Sequence, residues 1–203
     1  MSYTPIYDGC MLTKAKKGLI LLHGRGGSAH DILRLAPLLV DDRFFVAALN
    51  APQNSWYPHS FLHENNEPKL SESIQALNHL IEETAEYLPL SDLFIAGFSQ
   101  GACLALETTA RNAKKYGGIL AFSGGLIGKS LEAEKYGGDY QKTKIFIGSS
   151  DKDPHIPDSR LIESKTQLEK LNADCTLTIY PGMGHTISQD EIAFAKKHIL
   201  KKA

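Results

Sequence analysis

The stretch that most constrains this chain is Gly97-Phe98-Ser99-Gln100-Gly101, because of what flanks it. Asp92-Leu93-Phe94-Ile95-Ala96 before it is a short apolar segment of buried-strand character, and Ala102-Cys103-Leu104-Ala105-Leu106-Glu107 after it opens a helix. Strand, G-x-S-x-G and helix together read as a nucleophile elbow, a turn so tight that its central residue is held in a strained backbone conformation. Residues two before and two after the serine approach too closely for side chains, which accounts for Gly97 and Gly101. The Ser99 hydroxyl is lifted off the sheet at the N-terminus of a helix, whose free N–H groups favour a developing negative charge. The pentapeptide alone is weak evidence, since glycine and serine are common in turns. Its flanks give it weight.

The rest of the chain repeats the strand-then-helix rhythm. Gly18-Leu19-Ile20-Leu21-Leu22 is an apolar run without alternation, as in a parallel strand buried on both faces, and it ends in His23-Gly24-Arg25-Gly26-Gly27-Ser28. That glycine-rich loop lacks the Lys-Ser or Lys-Thr pair of a phosphate loop. A helix is expected over His30–Val40, bent at Pro37, and a strand over Phe44–Leu49. A long irregular stretch from Asn50 to Lys69 follows, whose Trp56, Tyr57 and Phe61 imply that it folds over something. Ser71 is placed to cap a helix reaching Leu88. Further strands are expected at Gly118–Ser123, Lys144–Gly148 and Thr176–Tyr180, with a short edge strand near Pro5-Ile6-Tyr7. Asp158 is placed to cap a helix to Leu171, and Ser188 with Glu191 forms a capping box opening the C-terminal helix. Such alternation means a mostly parallel α/β sheet with helices on both faces, here as one domain over residues 1–203 without internal repeat or linker.

Composition excludes several classes of function. With 22 Lys and Arg against 23 Asp and Glu, the formal net charge of −1 offers no basic surface for nucleic acid. Cys10, Cys103 and Cys175 are far apart, without metal-ligand spacing, and an odd sparse set fits reduced thiols in the cytoplasm. The N-terminus lacks the basic-then-apolar pattern of a signal peptide, and no apolar run approaches a membrane span. His59, His63 and Glu64 lack convincing ligand spacing, so neither a metal nor another cofactor is expected. The oligomeric state is open, a homodimer included.

Loops at the C-terminal ends of parallel strands share one edge of the sheet. Here those loops carry His23-Gly24-Arg25-Gly26, Ser99, Asp151 and Asp153, and His185, in the order Ser…Asp…His of an α/β-hydrolase. A serine hydroxyl near neutral pH needs a base, His185 follows a glycine-rich turn and precedes a helix, and an aspartate would fix its tautomer. Asp151 and Asp153 share one loop, where Asp151 has the alternative of holding the turn together. An apolar wall for a substrate chain is expected from Trp56, Tyr57 and Phe61, with Leu126, Ile156 and Met183.

HGRGG, GFSQG, DKDPHIP and GMGH, at these places in the chain, resemble the phospholipase/carboxylesterase family of small α/β-hydrolases, to which acyl-protein thioesterases belong. The likeness runs from about Gly18 to Leu200 and implies a carboxylic-ester hydrolase acting through an acyl-enzyme on a small-molecule ester of short to medium acyl chain, with no cofactor. Its D-x-x-[VI]-P pattern selects Asp153 as the acid, and position implies an oxyanion hole from the backbone N–H groups of Arg25 and Gln100. Arg25 stands where thioesterases acting on lipidated proteins usually carry an apolar residue, and the loop Asn54–Phe61 looks more like the bacterial esterase branch. Thioester cleavage, acyl transfer and a catalytically silent binding protein on the same fold are the rival expectations.

Overall fold

A strand that is apolar on both faces must be covered on both faces. Leu19 and Leu21 of the strand Lys17–Leu22 point to one side and Ile20 and Leu22 to the other, all fully buried. The two sets enter separate hydrophobic clusters, one on each side of a central sheet. The structure is a computed structural model and describes residues 3–200.

Among the described residues the sheet has seven strands: β1 (Thr4–Gly9), β2 (Lys17–Leu22), β3 (Phe44–Asn50), β4 (Leu93–Phe98), β5 (Gly118–Phe122), β6 (Lys144–Ser150) and β7 (Asp174–Tyr180). Their order across the sheet is β1-β3-β2-β4-β5-β6-β7. Among the described residues only the β1–β3 pairing is antiparallel. Because the chain steps from β2 to β3 on one side and then to β4 on the other, the crevice of an open α/β sheet opens between the C-terminal ends of β2 and β4. Leu22 pairs with Gly97 in register, so the loops that follow, His23 onward and Ser99 onward, emerge side by side.

Helices α3 (Lys69–Ala85), α4 (Gln100–Arg111) and α5 (Asp158–Lys170) cover one face; α1 (Ala29–Leu33), α2 (Ala36–Leu39) and α6 (Gln189–Phe194) cover the other. In α3 the buried residues Leu70, Ile74, Leu77, Leu80, Ile81 and Thr84 recur at helical spacing, and each large apolar one stabilises the fold by about 1.5–3 kcal/mol. Among the described residues no helix is long and apolar enough to cross a membrane.

Three helix boundaries differ from expectation. The helix expected over His30–Val40 is two short ones, because Pro37 lacks an N–H and starts a new helix at its first turn instead of bending an existing one. Helix α3 begins before Ser71, whose N–H is met by Glu67 Oε2 at 3.0 Å, so Ser71 caps nothing. Pro157, not Asp158, occupies the cap of α5. The Ser188–Glu191 capping box is present, and an unforeseen second one joins Ser28 and Asp31.

Two long connections carry little regular structure and are held by buried polar side chains. Asn66 accepts from His59 N at 3.0 Å and donates to Ser60 O at 2.8 Å and His63 O at 3.1 Å, pinning the β3–α3 loop. Between β5 and β6, Arg160 donates to the carbonyls of Leu126, Gly128 and Lys129, while Glu107 accepts from Ile127 N and Tyr136 Oη. These groups replace the ladder bonds that irregular backbone lacks.

Candidate active site

Ser99 sits between β4 and α4 with φ 54° and ψ −118°, the strained conformation expected of the elbow. Close approach explains both glycines. A Cβ on Gly97 would lie 2.4 Å from Gly101 C and O, and one on Gly101 would lie 2.3 Å from Leu22 O. Ser99 N donates to Phe122 O at 2.8 Å, fixing the turn to the next strand.

His185 reaches Ser99 from the loop after β7. Its Nε2 lies 2.8 Å from Ser99 Oγ and its Nδ1 2.7 Å from Asp153 Oδ2. The Asp153 carboxylate is fully buried, and its other oxygen accepts from His155 N at 2.9 Å and Ile156 N at 3.2 Å. An acceptor so pinned by its own loop can hold one imidazole tautomer, with the proton on Nδ1 and a lone pair facing the serine. Asp151 accepts from Gly182 N at 2.7 Å. Ser150 Oγ accepts from Gly184 N at 2.9 Å. Together they tie the loop carrying His185 to the loop carrying Asp153. Edge-on contact with His155, at 4.9 Å between ring centroids, and Phe98 at 5.0 Å complete the packing around the His185 ring.

The loop after β2 closes the other side. Gly24 is so close that a Cβ there would lie 3.3 Å from Ser99 Cβ. His23 is buried, and its Nε2 accepts from Ala51 N at 3.1 Å, which leaves Nδ1 as the donor to Gly24 O at 2.8 Å. Burial holds the His23 imidazole below the ordinary histidine range, consistent with this neutral tautomer. This part played by His23 is not legible in the His-Gly motif itself; its one signal in the sequence is an imidazole ending a strand of apolar residues.

Most of the residues expected to form an apolar wall are packed inward. Trp56, Tyr57, Phe61, Leu126 and Ile156 are all buried within one core cluster, and only Met183 is half-exposed. Trp56 donates Nε1 to His23 O at 2.8 Å and packs on the His23 ring, so it braces the loop from beneath. Large aromatic groups gain more by closing the core than by standing in a water-filled cleft. The open space beside the site is instead a cleft of about 390 Å³ lined by Gly24, Arg25, Ile32, Phe98, Thr186 and Ile187. Cys103 is core, as expected, and burial pushes its thiol up to about 12. Among the described residues no group of His, Cys, Asp and Glu is placed to hold a metal ion.

Comparison with known proteins gives the family. A family model described as phospholipase/carboxylesterase matches residues 10–203. A crystal structure of a phospholipase/carboxylesterase from Dyadobacter fermentans DSM 18053 is 46% identical, covers 98% of this chain and 97% of its own, and superposes with a TM-score of 0.96. Acyl-protein thioesterase 1 of Eremothecium gossypii is 29% identical over 220 residues, 96% of this chain and 93% of that protein. The chain spans about half the length of the first curated relatives it matches. In a probable carboxylesterase of Oryza sativa subsp. japonica the match is 29% identical over 140 residues, 64% of this chain and 50% of that protein.

Proposed function

The chain belongs to the phospholipase/carboxylesterase family, and we propose that within it this protein is a cytoplasmic serine esterase acting on carboxylic esters of short to medium acyl chain. Ser99 Oγ attacks the ester carbonyl as His185 Nε2 takes its proton, and Asp153 stabilises the imidazolium that forms. Negative charge collects on the carbonyl oxygen between the N–H groups of Arg25 and Gln100, each donor being worth about 3 kcal/mol of transition-state stabilisation. His185 then protonates the departing alcohol, and water, deprotonated by the same imidazole, releases the acid.

The observation that carries this reading is the unbroken chain Ser99–His185–Asp153, with links of 2.8 Å and 2.7 Å and its serine on a strained turn. Neither the Arg25 nor the Gln100 N–H donates in the turns, loops and caps of the described backbone, which leaves both for a developing oxyanion. Thioester cleavage by the same groups is the second reading, favoured by the full-length likeness to the E. gossypii thioesterase. A fluorophosphonate should label Ser99 and stop hydrolysis of p-nitrophenyl butyrate, and Ser99→Ala should abolish both while leaving Tm within a few degrees. Label on another residue, with Ser99 unmodified, would sink the mechanism. No turnover of esters or thioesters by well-folded protein would favour a binding role.

A further inference from the structure

Gly24-Arg25-Gly26-Gly27 is three parts glycine: a side chain at Gly24 would crowd Ser99 Cβ, and Gly26 has a φ of 79°. Gly27 N donates to Gly24 O at 3.1 Å and closes a turn over Arg25 and Gly26, but so glycine-rich a turn has many backbone conformations open to it and by itself fixes the direction of the Arg25 N–H only weakly. Arg25 carries the only side chain in the segment, and that side chain turns away from Ser99. Its Nη1 donates to Pro58 O at 2.7 Å, and its Nη2 donates to Tyr57 O at 3.0 Å and also to His59 O. Gln100 turns to the same strip of main chain. Its Nε2 donates to Tyr57 O at 2.8 Å, while its Oε1 accepts from Trp56 N at 3.0 Å. The carbonyl of Tyr57 therefore receives a hydrogen bond from each of the residues whose N–H groups face the developing charge. The strip is itself anchored: Gly26 N donates to Asn54 O at 2.7 Å, Trp56 Nε1 to His23 O at 2.8 Å, and Ser73 Oγ to Trp56 O at 2.6 Å.

We propose that the side chains of Arg25 and Gln100, joined through the Tyr57 carbonyl, set the spacing between their own backbone N–H groups. Arg25 is thus a positioning residue for the oxyanion and not a cation that binds substrate. Donors must lie about 2.7–3.1 Å from the oxygen as it becomes charged, and a displacement of about 1 Å costs on the order of 100-fold in rate. The planar guanidinium fork spans carbonyls that a lysine ammonium, a single point of donation, cannot span together. The inference rests on the esterase reading above.

Arg25→Lys, Arg25→Met, Gln100→Leu and the Arg25→Met/Gln100→Leu double variant test it, with p-nitrophenyl butyrate as substrate and a trifluoromethyl ketone as the oxyanion-forming inhibitor. Arg25→Met should lower kcat about 10- to 100-fold with KM changed less than about threefold, and Arg25→Lys should fall nearly as far. Inhibitor affinity should drop by the same factor as kcat, while the pH at which activity is half-lost stays put because His185 is untouched. The double variant should be little worse than the poorer single one, since either substitution already breaks the link. Trp56, the only tryptophan, should shift its emission as the strip loosens, reporting the brace independently of turnover. Should Arg25→Met fail to fold, Arg25→Lys carries the same comparison. A wild-type enzyme that is active and matched by both Arg25 variants overturns the brace alone, as do a loss confined to KM or fully additive losses in the double variant. Wild-type protein that hydrolyses no ester overturns the esterase reading itself.

Discussion

The loop after β6 holds both aspartates, and their neighbours separate them. Asp153 accepts from His185 Nδ1 and two backbone amides, whereas Asp151 accepts from Gly182 N alone in that set. An asparagine at 151 still presents a carbonyl oxygen to that N–H, so Asp151→Asn should change kcat by no more than about twofold. At 153 the amide cannot hold the Nδ1–H tautomer with the same charge, and Asp153→Asn should lower kcat by about 10⁴-fold. Steady-state rates on one ester decide it, and equal effects would take the acid role from Asp153. His23 gives a prediction in stability. Its folded pKa lies below the unfolded value of about 6.5, so above that pH both states are neutral and the group contributes no slope. As pH falls through about 6.5 the unfolded chain gains a proton that the folded one refuses, and stability declines until the folded pKa is reached. Thermal melts of wild type should therefore drop more steeply below about pH 6.5 than those of His23→Gln, which keeps an acceptor for Ala51 N. Parallel curves would count against a buried neutral His23.

At the scale of the element, the elbow is a contact between three pieces of backbone. Gly97 faces Gly101 and Ala102, and Gly101 faces Leu22 and His23. The atoms in the way are main chain, so no rotamer change relieves them. Gly97→Ala should cost about 3 kcal/mol, the top of the range for overpacking, and should displace Ser99 enough to reduce labelling by a fluorophosphonate. Gly137, with nothing within 4 Å of its would-be Cβ, is the matched control. Gly137→Ala should stay within about 0.5 kcal/mol in urea unfolding. A Gly97→Ala protein as stable and as reactive as the control would mean that the turn is looser than its geometry.

For the whole molecule, what lies over the site decides what reaches it. The β3–α3 loop sends Trp56, Tyr57 and Phe61 into the core, and the β5–β6 connection is tied down by Arg160 and Glu107. Neither is built as a separate lid. The open cleft has Ile32, Phe98 and Ile187 as its apolar side chains. Each methylene of a substrate chain buried there should contribute about 0.8 kcal/mol, roughly fourfold in kcat/KM, until the chain outruns the cleft. Kinetics on esters of increasing length should rise and then level off, without a jump above the critical micelle concentration. Ile187→Asp should flatten the rise while sparing acetate esters. Continued gain with very long chains would point to a deeper channel.

What could be read from the chain alone was whatever is decided locally. The elbow was legible because a tight turn needs glycines at fixed offsets, and the parallel sheet was legible because strands buried on both faces lose their alternation. That Ser99, His185 and one of Asp151 and Asp153 could meet was expected from loops sharing one edge, the choice of Asp153 from the family resemblance, and the Ser188–Glu191 cap from its own short spacing. Tertiary structure alone decided which way Trp56 turns, that the open cleft lies beside Ile32 and Ile187, and that Arg25 and Gln100 meet at one carbonyl. Aromatic side chains in an irregular loop have no periodicity to announce a face. Hydrogen bonds between residues more than thirty positions apart exist only once the sheet has brought their loops together.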